Sequence, residues 1–314
     1  MISAERARRA TDIRDESRLL RGLPESWRPY ARLARLDRPI GTWLLLLPCW
    51  HGLALAVAAG AAPLDWRIPA YAVLFAIGAL AMRGAGCVLN DIADRDYDGK
   101  VARTALRPIP AGEVSVSQAF LFMGGLCLIG LVVLLPFNLT TIIVAFCSLP
   151  FVVIYPFMKR ITWWPQLFLG FAFNWGALVG WTALAGSLDA PALTLYAAGI
   201  FWTLGYDTIY AHQDKEDDAL VGIRSTARLF QENSRRWITA FYGGMTGWLL
   251  LTGFLAGLHW AFVAGVAAIA YKLMDQATKT DLDDPAACLQ AFKSNRDIGF
   301  GLIVAFALAY VFGG

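Results

Sequence analysis

Residues Asn90–Arg107 read NDIADRDYDGKVARTALR, a dense polar stretch that follows directly on an apolar run over residues 70–90. Asn90, Asp94 and Asp98 recur every four residues, so a helix that continues through them lines up their side chains as one acidic stripe. Acidic groups held together repel one another, and a cation that also carries an anionic substrate relieves the repulsion; Mg²⁺ is the expected ion. A helix that is apolar along most of its length and then abruptly acidic points to a membrane span ending in a catalytic site at the surface. Read alone, the same residues also suit a solvated connecting loop with charged helix ends.

Composition agrees with the membrane reading. Of 314 residues, 57% are hydrophobic and 16% charged, where soluble domains carry about a quarter charged. Apolar segments recur at about residues 40–60, 70–90, 117–136, 138–156, 165–185, 191–211, 237–256, 258–274 and 297–313, nine in all, with short polar connections between them. An all-α polytopic membrane protein is expected, with residues 1–38 as an Arg-rich tail and interfacial segment and residues 39–314 as a single transmembrane domain. The net charge of +3 is too small to suggest a nucleic-acid partner.

Lys and Arg give an independent test, because inside loops are enriched in them. With the N-terminus inside, 25 of the 27 basic residues fall in inside segments, leaving Arg67 in an outside loop and Arg83 within the second span. An odd number of spans then puts the C-terminus outside. The tail holds ten arginines together with Glu5, Asp12, Asp15 and Glu16, and has no continuous apolar stretch of signal-peptide length. Those acids count against an organellar transit peptide, so the expected location is a bacterial inner membrane, with the tail and polar loops cytoplasmic and the C-terminus periplasmic. Trp27, Tyr30, Leu33 and Leu36 stand near helical spacing among arginines, as in a segment lying on the membrane surface.

A second polar cluster, TLGYDTIYAHQDKEDDALVGIRSTAR over residues 203–228, follows the sixth apolar segment and falls on the same side as the first. Asp214 and Asp218 again stand four apart, with Asp207 earlier and Asp217 adjacent. Aligning Asp94 with Asp214 brings Arg103-Thr104 close to Arg224-Ser225-Thr226, the pattern of a diverged internal repeat. Two acidic sets on one membrane face, each followed by a basic residue and a hydroxyl, suit a lipid diphosphate bridged to carboxylates by Mg²⁺, with cations neutralising the departing diphosphate. YPFMKR, at Tyr155–Arg160, sets Tyr155 and Lys159 on one helix face toward the same interface, where Lys159 can meet the diphosphate or simply mark a span end. Arg83 lies about two turns before Asn90, at a depth where a cavity or an anionic partner is required; a carboxylated aromatic acceptor and a structural acid both meet that need.

Two rival readings start from the same residues. Asp98-Gly99, Ala102-Arg103 and Gly112 match part of the CDP-alcohol phosphatidyltransferase signature, but Arg95, Val116 and Phe120 occupy three positions where that signature needs metal-binding acids. A secondary transporter also pairs polar residues with weak internal symmetry, yet places its coupling residues near the midplane rather than at span ends. Cys49, Cys87, Cys127, Cys147 and Cys288 are scattered like small buried hydrophobes, and of His51, His212 and His259 only His212 lies near the polar clusters, where a structural role is expected of it.

The NxxxDxxxD pattern at Asn90, Asp94 and Asp98 and the DxxxD pattern at Asp214 and Asp218 resemble, in order and separation, the two Asp-rich motifs of the UbiA family of intramembrane prenyltransferases. The resemblance covers almost the whole chain, and RLDRPIGTWLLLLP at Arg35–Pro48, YPFMKR and YDTIYAHQDKEDD are most like the 4-hydroxybenzoate polyprenyltransferase branch, which serves ubiquinone biosynthesis. It implies nine helices around a central cavity with a cytoplasmic polar cap, Mg²⁺ held by the two motifs, a polyprenyl diphosphate donor and a small aromatic acid acceptor. It further implies Asp94, Asp98, Asp214, Asp218 and Lys159 in catalysis, and Asn90, Arg83, Arg103, Tyr155, Asp207 and Arg224 in binding. Ionisation of the allylic C–O bond is followed by attack from the ring carbon ortho to the phenol, with Tyr155, Tyr206, Phe173 and Trp175 as candidate aromatic faces for the cation. GIRSTA departs from the pattern, with Arg224 where Lys is often found, and acceptors other than 4-hydroxybenzoate remain open within the family. Oligomeric state is not read from the sequence.

Overall fold

The computed structural model describes residues 18–99 and 104–313; Arg103, Lys100 and the first part of the expected tail lie outside them. Among these residues all regular structure is helical. A short helix α1 (Arg28–Leu33) precedes the membrane rods α2 (Ile40–Ala58), α3 (Arg67–Asp98) and α4 (Val116–Leu134). The next two rods are each broken, as α5 (Leu139–Phe146) with α6 (Leu149–Ile161), and α7 (Pro165–Asn174) with α8 (Gly176–Ala185). Then come α9 (Ala190–Ala211), the short α10 (Lys215–Val221) and α11 (Thr226–Phe230), and the rods α12 (Ser234–Leu255), α13 (Ala261–Lys279) and α14 (Pro285–Gly313).

Nine rods thus follow the nine apolar segments among the described residues. Seven are long and apolar enough to cross a membrane; α9 and α13 fall short of that standard, carrying Asp207 in one and Lys272 and Asp275 in the other. The last rod starts earlier than its apolar part, because the polar turn from Pro285 to Arg296 is already helical.

The α5–α6 break has a local cause. Pro150 sits at the start of α6, where its ring opposes the carbonyl of the preceding turn and its missing N–H cannot bond back, so the chain turns at Cys147-Ser148 and restarts. α14 returns to pack on α2, making the first and last rods neighbours. The main core, with Leu47, Trp202, Tyr242, Phe262 and Phe306 almost fully buried, lies among α2, α8, α9 and α12 to α14. Close approach sets that packing: a Cβ at Gly180 would stand 2.1 Å from the Cys49 carbonyl oxygen, so α8 can touch α2 only through a residue without one. By contrast α4 buries Ala119 alone and presents Leu121, Leu128, Val132 and other apolar side chains outward, as a lipid-facing helix does.

α3 is the element that positions the site. Its 32 residues span about 48 Å, well beyond the ~30 Å hydrocarbon layer, so its last turns emerge carrying Asn90 to Asp98. A second small core, Leu33 from α1 against Val88, Ile92 and Val114, fastens the N-terminal segment over that emerging end.

Candidate active site

The helix continues unbroken through the first acidic motif, so Asn90, Asp94 and Asp98 do share a rod, and the Asn90 carboxamide donates to Asp94 Oδ2 at 3.1 Å. The expected mutual repulsion is relieved by the protein's own cations. Lys159 donates to Asp94 Oδ2, and Arg160 Nη2 donates to Asp94 Oδ1 at 2.9 Å and to the Ala93 carbonyl at 2.7 Å. Arg107 Nη1 donates to Asp98 Oδ2 at 2.9 Å. Both aspartates are buried, so their charges need these partners. Thr104 closes the turn beyond, its hydroxyl donating to the Asp98 carbonyl at 2.8 Å.

The second motif is built differently. α9 ends at Ala211, a single 3₁₀ turn carries His212 to Asp214, and α10 carries Asp218 before Gly222 ends it at φ +77°. The two motifs therefore differ in backbone despite their similar spacing. The loop after α10 is tied to α6: the Arg224 N–H donates to the Lys159 carbonyl at 2.9 Å, and Arg224 Nη1 donates to the Ile161 carbonyl at 2.6 Å. Ser225 caps α11, and the Thr226 N–H is received by Gln166 Oε1 at 3.1 Å. His212 is buried, and that burial pushes its imidazole down to about 4, with the Lys215 charge acting in the same direction.

These pieces surround a cavity of about 880 Å³. Asn90, Asp94, Asp98, Lys159, Asp214, Asp218 and Arg224 line its polar end; Phe75, Leu134, Phe137 and Val179 line the opposite, apolar end. Arg83, Tyr155, Tyr206 and Asp207 line it between. Within that middle zone the Arg83 guanidinium lies 5.4 Å from the Phe173 ring centroid and interacts with the Asp207 charge. α6 turns both Tyr155 and Lys159 into the cavity. Of the site residues named from sequence, Arg103 lies outside the described residues and the others all reach this space.

Among the described residues no group of three or more His, Cys, Asp or Glu side chains is arranged to hold a metal ion by itself. The donor set still fits Mg²⁺, a hard ion that takes one or two protein carboxylates and completes its octahedron with water and substrate phosphate. Asn90 and the four aspartates offer only oxygen donors at this end of the cavity when the Asn90 amide is turned.

The structure adds residues that the sequence reading passed over. Asp91, fully buried, accepts from Arg35 Nη2 at 2.6 Å and from Arg107 Nη1 at 3.1 Å, so one carboxylate joins the N-terminal segment to the loop beyond α3. Arg35 makes that reach from a left-handed backbone, φ +58°. Arg35, Arg38 and Arg107 all line the cavity. Their signal was hidden among basic residues whose number alone was used to orient the chain.

The UbiA prenyltransferase family profile matches residues 45–308. The chain is 49% identical over 286 residues to the mitochondrial 4-hydroxybenzoate polyprenyltransferase of Bos taurus, covering 91% of this chain and 76% of that one. It is 50% identical over 286 residues to the enzyme of the same name from Mus musculus, covering 91% and 75%. Among solved structures, a UbiA homologue from Aeropyrum pernix K1 superposes with a TM-score of 0.68 at 23% identity, over 87% of this chain and 97% of that one. A UbiA homologue from Archaeoglobus fulgidus bound to GPP and Mg²⁺ gives 0.64 at 17% identity, over 90% and 99%.

One expectation is overturned. The relatives are named mitochondrial enzymes, so the assignment to a bacterial inner membrane, with its cytoplasmic and periplasmic sides, does not stand; a multi-pass membrane protein does. The reason is physical: the distribution of Lys and Arg orients a chain across a bilayer without saying which bilayer it is, and a few acids in an Arg-rich tail are too weak a signal to decide. With the family profile matched across most of its length and mammalian relatives at about half identity, the chain belongs to the UbiA prenyltransferase family.

Proposed function

We propose that the protein transfers a polyprenyl group from a polyprenyl diphosphate to a ring carbon of 4-hydroxybenzoate, with Mg²⁺, inside a membrane. The observation that carries this reading is the convergence of both acidic motifs on the polar end of a cavity whose far end is apolar. A diphosphate head joined to an isoprenoid tail needs those two environments in continuity. The names of the mammalian relatives support the acceptor, and the GPP and Mg²⁺ of the Archaeoglobus structure support the donor class and the ion.

Asn90, Asp94, Asp98, Asp214 and Asp218 would hold Mg²⁺, which when bound neutralises diphosphate charge and eases its departure. Lys159 shifts from Asp94 onto diphosphate oxygens, Arg160 stays on Asp94, and Arg224 adds charge from the opposite loop. The allylic C–O bond breaks with its electron pair on the diphosphate, and the aromatic faces of Tyr155, Tyr206 and Phe173 meet the allylic cation. Arg83 receives the acceptor's carboxylate and Asp207 steadies the guanidinium from beside it. The ring carbon ortho to the phenol forms the new C–C bond and gives up its proton to the departed diphosphate, while the apolar wall keeps out water that would otherwise trap the cation.

The test is to incubate purified protein in lipid with geranyl diphosphate and 4-hydroxybenzoate, with and without Mg²⁺, and to identify products by mass. A C-prenylated acid formed only with Mg²⁺ is expected. Absence of product with this and longer donors, and with a panel of aromatic acceptors, would remove the proposal.

A further inference from the structure

Gly41 stands at the second position of α2 and is a buried part of the cavity wall. The space that a side chain would take there is filled by Arg83. A Cβ at residue 41 would meet Arg83 Nε at 2.5 Å, Nη2 at 2.7 Å and Cζ at 2.9 Å, and these are its three nearest neighbours. The case differs from Gly180, whose absent Cβ makes room for another helix's backbone. At Gly41 the room is made for one guanidinium.

The Arg83 guanidinium lies over the Phe173 ring, within electrostatic reach of Asp207, and its buried Nε has no hydrogen-bond partner among the described residues. An unpaired donor at this depth is costly, and an arriving anion offsets that cost only if the fork is where the anion binds. Ordinary van der Waals contact begins near 3.4 Å, so a methyl group at residue 41 pushes the guanidinium away by close to an ångström.

We propose that Gly41 is a positioning residue for the acceptor: by lacking a side chain it leaves the slot that the Arg83 guanidinium occupies over Phe173, and so fixes where the acceptor's carboxylate is received. The inference rests on the assignment of Arg83 to the acceptor made above. It separates the substrates, because the displaced group is remote from the acids and cations placed around the diphosphate.

Gly41→Ala, Arg83→Ala and the double variant are compared with the unaltered protein in lipid, using 4-hydroxybenzoate and geranyl diphosphate with Mg²⁺. Gly41→Ala should raise the KM for 4-hydroxybenzoate by about tenfold or more, the scale for misplacing a charged hydrogen bond, and leave the KM for geranyl diphosphate within about twofold. On the Arg83→Ala background the glycine change should add nothing. An unchanged acceptor KM in Gly41→Ala, or an equal rise for both substrates, overturns the proposal. An unchanged acceptor KM in Arg83→Ala instead sinks the assignment of Arg83 itself. Should Gly41→Ala not fold, removal of the clashing group must restore the melting temperature in the double variant; a double variant that also fails shows that Gly41 serves the backbone, against the proposal.

Discussion

The Lys159 ammonium donates to the Asp94 carboxylate, binding the end of α6 to the emerging end of α3 across 65 residues of sequence. With Arg160 on the other oxygen, the central acid of the first motif carries two cations. The acid that would hold the metal and the lysine that would meet the diphosphate are therefore in direct contact, and in the proposed mechanism they would exchange partners.

Asp94→Asn and Asp214→Asn should each lower kcat with geranyl diphosphate and 4-hydroxybenzoate by about 100-fold or more, the scale of losing an electrostatic clamp on a transferring group. Fold stability should change little in Asp94→Asn, because Lys159 and Arg160 are 25% and 32% exposed and can turn to water, a cost of about 1 kcal/mol or less. Near-normal turnover in both variants would refute the metal-site assignment.

Asp91 should behave in the opposite way. Its carboxylate is fully buried between Arg35 and Arg107, so Asp91→Ala leaves two arginines short of a partner and should cost about 3–5 kcal/mol of stability. Arg107 keeps Asp98, which moves the expectation toward the lower figure. Thermal unfolding followed by circular dichroism in detergent reads it; a melting temperature equal to that of the unaltered protein would mean that the bridge contributes nothing.

Arg224→Lys keeps the charge and loses the fork. Arg224 spans the Ile161 carbonyl and lies 5.7 Å from the Trp163 ring centroid, contacts that a flexible ammonium reproduces poorly. The expected result is a rise of about threefold to tenfold in the KM for the prenyl diphosphate, as for one weakened charge-assisted hydrogen bond, with the acceptor KM unchanged. Equal effects on both substrates would place Arg224 in the scaffold instead.

His212 should make the polar end acid-sensitive. Burial holds its imidazole at about 4, below the unfolded value near 6.5, so the unfolded chain binds more protons between the two. The stability contributed by the neutral ring is complete above about 6.5 and is lost as pH falls toward 4. His212→Gln should flatten the dependence of melting temperature on pH across that window. An unaltered slope would assign the sensitivity to other groups.

What could be read from the sequence and what could not differ in kind. The nine rods among the described residues were legible because each follows an apolar run, less purely so in α9 and α13, and lipid favours a helix for such a run. Asp94, Asp98, Asp214 and Asp218 stood out as candidates because acids at four-residue spacing beside a span are expensive without a purpose, and Asn90 shares the first spacing; the structure places all five on one cavity. Asp91 was not, although it stands beside Asn90: spacing ranks residues along one helix, whereas its role comes from Arg35 and Arg107, 56 and 16 residues away. Gly41 was silent for a simpler reason. A missing side chain has no pattern, and its meaning appears only once Arg83 is seen in the space.

The unbroken course of α3 makes it a caliper. Arg83 and Asp94 are eleven residues apart on one continuous helix, close to three full turns, so they face the same way and stand about 16 Å apart along the axis. In the proposed mechanism helical rise would thus set the spacing of the two α3 residues that meet the charged ends of acceptor and donor. Adding one residue between Arg83 and Asn90 would swing one jaw by about 100° relative to the other while leaving every side chain in place on its own turn. On the proposed roles of Arg83 and Asp94, one secondary-structure element would set much of the reach between the two substrates' charged ends.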